Sequence, residues 1–203
     1  MRRLFAAILL LCLPGSALAD SGAVAGRVVL EVEGVPLEEL GPTVVFLDGV
    51  SGPLSFEPPR GRIRMHQKNA QFEPRFLAVP AGQTLEMPND DAIFHNVFSF
   101  SKPNDFDLGL YPAGESRSVR FAHPGVVNIY CSIHESMTAT VFVAPSPWLA
   151  VAKPTGEFEL RGVPPGRYRL RVWNERLPEA GQIVEVTAGA TRRVDVPVAM
   201  AAP

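Results

Sequence analysis

The chain has 203 residues, a formal charge of −2, 46% hydrophobic and 20% charged residues, which is ordinary for a globular protein of one large or two small domains. It has no basic excess to serve as an electrostatic footprint, so no nucleic-acid partner is expected. Twenty prolines and seventeen glycines separate short apolar runs, a texture of strands joined by tight turns.

The first nineteen residues read as an export signal. Arg2 and Arg3 precede an apolar run over 4–13, and Ala17-Leu18-Ala19 ends it as a small-x-small cleavage site. That run is too short to span a bilayer, and no later stretch is longer, so no membrane span is expected. Bulky Leu11 before Cys12 does not suit a lipoprotein site, and the arginine pair leaves both Sec and twin-arginine export open. The expected product is periplasmic or secreted. Cleavage after Ala19 would remove Arg2 and Arg3 and no acids, taking the charge from −2 to −4. It would also remove Cys12, leaving Cys131 alone. A lone thiol in an oxidising compartment has no internal disulfide partner, and metal ligation is its leading explanation.

Apolar runs at 24–32 and 44–47, split by Gly34-Val35-Pro36, predict two strands and a turn. Residues 51–62 are rich in Gly, Pro and Arg and read as a linker. In the next block, strands are expected at 76–79, 84–87, 95–101, 116–121, 126–131 and 138–143. Pro80-Ala81-Gly82, Asn89-Asp90-Asp91, Pro112-Ala113-Gly114 and Pro124-Gly125 punctuate them as turns. Residues 147–198 return to alternating strands, at 156–160, 168–173, 183–186 and 193–198, with Pro164-Pro165-Gly166 as a sharp turn. Residues 199–203 are expected to fray. No window sustains helical periodicity, so the fold class is all-β.

The chemistry concentrates in Cys131-Ser132-Ile133-His134-Glu135-Ser136-Met137, with His95 upstream. Cys-x2-His-x2-Met sets a thiolate, an imidazole and a thioether on one tight loop after a strand. His95 from a neighbouring strand would complete a His2Cys site with a weak axial Met, the ligand set associated with blue-copper electron transfer. Soft sulfur ligands favour Cu(I) and imidazoles tolerate Cu(II), so such a site suits both oxidation states. Each residue alone has a plainer reading: Cys131 as a small buried hydrophobe, Met137 as core filler, His95 or His134 as a hydrogen-bonded side chain. Their joint spacing in an exported chain favours copper.

These residues carry a resemblance. Pro88-Asn89-Asp90-Asp91, His95-Asn96-Val97, and Pro124-Gly125 before Tyr130-Cys131 and His134 resemble the cupredoxins of the plastocyanin and amicyanin type. The chain also looks like plastocyanin-like methylamine utilisation proteins, in which a stretch similar to Met65-x-Gln67 through Phe72-x-Pro74 opens the copper domain. The resemblance implies a Greek-key β-sandwich with copper at one end, His95 buried and His134 near the surface. It implies that Asn96, with Ser132 beside the thiolate, ties the ligand segments together by hydrogen bonds; the alternative is that Asn96 starts a turn. Amicyanin loops are proline-rich around the exposed His, whereas this one has Ile133 and Glu135-Ser136. Glu135 is therefore a tuning charge, or a competitor of Met137 for the metal, and an amine dehydrogenase or a cytochrome c are both open as redox partners.

The flanking segments resemble a carboxypeptidase-regulatory-like, transthyretin-type sandwich. The resemblance rests on 155–172 with Pro164-Pro165-Gly166, and on Gly26-Arg27-Val28 through 44–47. The expected layout is a signal at 1–19, a split sandwich from 22–62 and 146–200, and a copper domain over 63–145, inserted in or packed on the other. No His-x-x-Glu or His-Glu-x-x-His pair exists for a catalytic zinc. Of four histidines only His66 and His123 remain beyond the ligands, too few for a multi-histidine catalytic copper centre. The expected function is a one-electron carrier and not an enzyme, with a copper chaperone or store as the alternative.

Overall fold

The computed structural model describes residues 21–200 apart from positions 33 and 59. The export signal, its cleavage site and Cys12 lie outside the described residues, as does the end of the tail. The described chain is all-β, with one short 3-10 turn at Leu37–Leu40.

Strands β1 (Gly22–Leu30) and β2 (Val44–Gly49) open the chain. A middle run follows: β3 (Ile63–Arg64), β4 (His66–Lys68), β5 (Gln71–Glu73), β6 (Phe76–Pro80) and β7 (Thr84–Pro88). It continues with β8 (His95–Ser99), β9 (Phe106–Tyr111), β10 (Ser116–Arg120), β11 (Gly125–Tyr130) and β12 (Thr138–Ala144). The chain closes with β13 (Leu149–Val151), β14 (Glu157–Val163), β15 (Gly166–Trp173), β16 (Ala180–Val186) and β17 (Thr191–Val198).

The middle strands form a five-stranded sheet in the order β6-β12-β11-β8-β9 and a three-stranded sheet in the order β10-β7-β3. Alternation decides what faces inward. Ala139, Val141 and Val143 of β12 and Val127 and Ile129 of β11 are buried in one core with Phe72, Leu85, Met87 and Phe121. Full burial of each large apolar side chain contributes about 1.5–3 kcal/mol. The short strands β3, β4, β5 and β13 lie outside the strands expected from the sequence, and so does β9. Its alternation is broken by a bulge opposite β8 between Asn96 and Phe98, and by Gly109 at φ 67.

The first and last strands share a different core. Here β1 lies between β14, antiparallel, and β17, parallel, so Val24 has Leu160 on one side and Arg192 on the other. A second sheet runs in the order β13-β2-β15-β16. Val24, Val45, Leu47, Leu160, Leu170, Val184 and Val196 belong to the cluster these strands enclose, and no buried member of it comes from the middle strands. A small third cluster joins the two: Val44 and Phe46 meet Phe142 and Ala144, with Trp173 stacked on Phe142 at 4.7 Å between ring centroids.

Candidate metal centre

The inward side of β8 carries His95, Val97 and Ser99, so the same pleat that buries Val97 buries the His95 ring completely. On β11 the inward positions run Val127, Ile129 and then Cys131, just past the strand end. The chain leaves the sheet after Cys131 and re-enters β12 after Met137, which is fully buried in the same core. Two backbone bonds close this loop: Met137 N–H donates to the His134 carbonyl at 2.9 Å, and Cys131 N–H to the Met137 carbonyl at 3.2 Å. The Ile133 amide donates to Cys131 Sγ at 3.4 Å.

The loop returns His134 to within reach of His95. One donor atom each from His95, Cys131 and His134 lies within 4.8 Å of the others. His95 Nδ1 is 3.7 Å from Cys131 Sγ, and the two imidazole rings are 5.3 Å apart between centroids. Ligand bonds of about 2.0–2.3 Å to nitrogen and sulfur place donors about 3–4 Å apart, so one soft ion suits this span. His134 Nδ1 is buried with no hydrogen-bond partner. An orphaned buried polar atom costs about 1–3 kcal/mol, which a bound metal would relieve. The residues therefore fit the ion that the sequence implies.

The other nitrogen of His95 is occupied. Nε2 donates to Asp91 Oδ2 at 2.8 Å, which keeps the proton there and leaves the Nδ1 lone pair on the thiolate side. Asp91 also accepts from the amides of Asn69 at 2.6 Å and Ala70 at 2.9 Å, at the tip of the β4–β5 hairpin. Burial by itself would raise the Asp91 carboxyl, but the hydrogen bonds from Ala70, His95 and Asn69 outweigh it and hold it below the ordinary carboxylate value. Beneath the site, burial pushes the Tyr111 phenol up to about 12, and its hydroxyl donates to the Met87 carbonyl at 2.9 Å.

The remaining expected residues lie around this cluster. Asn96 is on the outward side of β8, and its side chain donates to Asp107 of β9 at 2.9 Å; its partner is the neighbouring strand and not the ligand loop. Ser132 and Glu135 are exposed, and the Glu135 carboxylate is not part of the donor cluster. His66 is paired with Asp90 at 2.5 Å, and the amide of His123 is held by Asn104. Asp91 is the functional residue that the sequence did not single out. Its signal was its place four residues before His95, inside a segment that reads as a turn.

The family model for domain II of polysaccharide lyase family 4 matches residues 148–194, on the closing strands. No curated protein matches the chain. Among solved structures, a purple cupredoxin from Nitrosopumilus maritimus is 23% identical over 40% of this chain and 99% of its own, with a TM-score of 0.37. A reduced amicyanin mutant is 22% identical over 46% of this chain and 97% of its own, at 0.39. Amicyanin from Paracoccus versutus is 20% identical over 46% and 96%, at 0.38. Among the described residues, no helix is long and apolar enough to cross a membrane.

Proposed function

We propose that the chain is an exported one-electron carrier built on a single blue copper centre of the cupredoxin type. His95, Cys131, His134 and Met137 would hold the ion. The observation that carries the reading is the convergence of two imidazole nitrogens and one cysteine sulfur at a buried end of the middle sandwich, with His134 Nδ1 left without a partner. Copper bound there would supply a one-electron couple at near-constant geometry.

The chain's own residues do the rest. Asp91 orients His95, the loop bonds fix Cys131 against His134, and Val97, Ile129 and Met137 keep water from the inner side. Four protein donors would leave no open position on the ion for metal hand-over or substrate, which favours a carrier over a chaperone, a store or an enzyme. Strands β1, β2 and β13–β17 are proposed to be one folding unit, transthyretin-like, that brackets the copper unit over 63–145.

The test is the visible and EPR spectrum of the copper-loaded chain. An intense thiolate-to-copper band that bleaches and returns on reduction and reoxidation supports the carrier. A colourless Cu(I) protein that exchanges its metal freely would replace this reading with the chaperone.

A further inference from the structure

Beside the small apolar cluster that joins the two sandwiches lies a hollow of about 640 Å³, lined by residues of both. Small-molecule sites have this size and favour the boundary between domains. The hollow lies at the Pro124-Gly125 end of β11, the end opposite Cys131, so it is separate from the donor cluster. Its floor is aromatic: Phe46, Phe142 and Trp173, with Trp173 stacked on Phe142 at 4.7 Å and on Phe76 at 6.1 Å between ring centroids. Val126 on one sandwich and Leu177 on the other add apolar walls.

The wall that carries Leu177 is pinned at its base. Asn174 is buried, and its side-chain amide donates to Thr43 Oγ1 at 2.9 Å and to the Leu40 carbonyl at 3.3 Å. Its Oδ1 accepts from the Arg176 amide at 2.8 Å. The segment that follows brings Glu175 and Glu179 to the hollow. Among the described residues, Arg171 is the one cation in the lining, against Asp48, Glu175 and Glu179. Its guanidinium is already engaged: it donates to Asp48 at 3.0 Å and to Glu179 at 2.6 Å, and lies 5.4 Å from the centre of the Phe46 ring. Its remaining nitrogen, Nε, is buried. Glu175 has no ion pair among the described residues. An anion entering here meets an excess of carboxylates, and a cation meets one that is uncommitted.

We propose that this hollow binds a small organic cation with a flat apolar body, of the arylalkylammonium class. The body lies on the Trp173 side of the floor, between Val126 and Leu177, and the ammonium head turns to Glu175. At the inner end of the hollow, Arg171 over Phe46 is the same combination of a cation with a ring and a carboxylate. The floor is packed and the acidic wall is pinned by Asn174, so little ordering is needed on binding. Charge excludes an anion of the same shape, and a bare ammonium gains no apolar contact. The site is independent of the copper reading.

2-Phenylethylammonium is the probe, titrated into isotope-labelled full-length chain and followed by NMR. Saturable shifts are expected at Val126, Trp173 and Leu177, and none at Phe100 or Ile133 near the metal loop. Phenylacetate has a similar body with the opposite charge, and methylammonium has the charge without the ring; both should leave these signals unmoved. Glu175→Gln is expected to weaken binding about two- to fivefold, the effect of one exposed charge pair. Val126→Trp, at an exposed position in the lining, should fill the hollow and abolish binding with the melting temperature unchanged. An equal response to phenylacetate, binding indifferent to both variants, or no saturable shift would overturn the proposal. So would tighter binding of a lysine-rich peptide, or a dimer of the chain that the probe disperses, because the occupant would then be another protein or a second copy.

Discussion

His95 Nε2 donates to Asp91 Oδ2 at 2.8 Å, joining a fully buried ring to a carboxylate that is still 14% exposed. Because the same carboxylate holds the amides of Asn69 and Ala70, one short side chain joins the β4–β5 hairpin to the His95 ring. The pair sets the ring's tautomer and its electron density together.

Asp91→Asn keeps the shape and removes the charge. Copper affinity is expected to fall 10–100-fold, the usual effect of losing such a partner, and the potential to rise because a less basic imidazole favours Cu(I). Nitrogen NMR of the metal-free chain reads the change directly, as a mixture of His95 tautomers in place of one. Acid stability checks the sign. The Asp91 carboxyl is depressed in the folded chain, so its contribution is full above the ordinary carboxylate value and is lost as pH falls through the lower folded value. The variant should therefore lose stability less steeply than wild type in that acid range. Identical acid slopes would mean that the carboxylate is not held as described.

The colour of the copper form is assigned to Cys131. Cys131→Ser removes the thiolate donor and should abolish the visible band, whereas Met137→Leu should keep it and raise the potential, because the lost thioether is weak and axial. A Cys131→Ser protein that stays blue would refute the donor set. Loss of colour in Met137→Leu would make Met137 a principal ligand.

The loop from Cys131 to Met137 was legible as a candidate site because its chemistry is local: Cys131, His134 and Met137 sit at fixed spacing between two alternating strands. His95 was legible because a strand and a turn frame it. Other features were not, the short strands β3, β4, β5 and β13 among them. Asp91 reads as one of three turn residues, and only the folded loop turns its carboxylate toward His95. Strand β9 hides behind Gly109 and Asp107, which interrupt its apolar pattern, yet it pairs with β8. The partner of Asn96 depends on which side of β8 it occupies, and the pleat sends it outward to Asp107, opposite in direction to His95. The shared core of the first and last strands was legible only through resemblance, because pairing of β1 with β17 spans most of the chain.

That long-range pairing is open to surgery. The cluster containing Val24, Leu47, Leu160 and Leu170 draws no buried member from residues 63–144. Replacing 63–144 with a short Gly-Ser linker is therefore expected to leave a soluble, cooperatively unfolding β-protein. Far-ultraviolet circular dichroism and a thermal melt report it. The exposed side of Phe46 is the weak point, because Phe142 would no longer cover it, so some loss of stability is expected. An unfolded product, with 63–144 folding alone and binding copper, would make the outer strands dependent layers on the middle sandwich.

The last prediction concerns a charge beside the metal. Glu135 follows His134, is exposed and stands outside the donor cluster, so it acts through space. At about 6 Å and an effective dielectric of roughly 40–80, one unit charge contributes about 0.7–1.4 kcal/mol. A one-electron couple shifts 59 mV per tenfold change in equilibrium, about 1.4 kcal/mol. A carboxylate favours Cu(II), so Glu135→Gln should raise the potential by roughly 30–60 mV. Salt should shrink the difference between the two proteins, because an exposed charge is screened beyond about 8–10 Å at physiological ionic strength and partly screened within it. Voltammetry of both forms at low and high salt makes the comparison. Equal potentials at low salt would place the carboxylate too far away to matter. A loss of the blue band in Glu135→Gln would instead make Glu135 a ligand, which is incompatible with its exposed position outside the cluster.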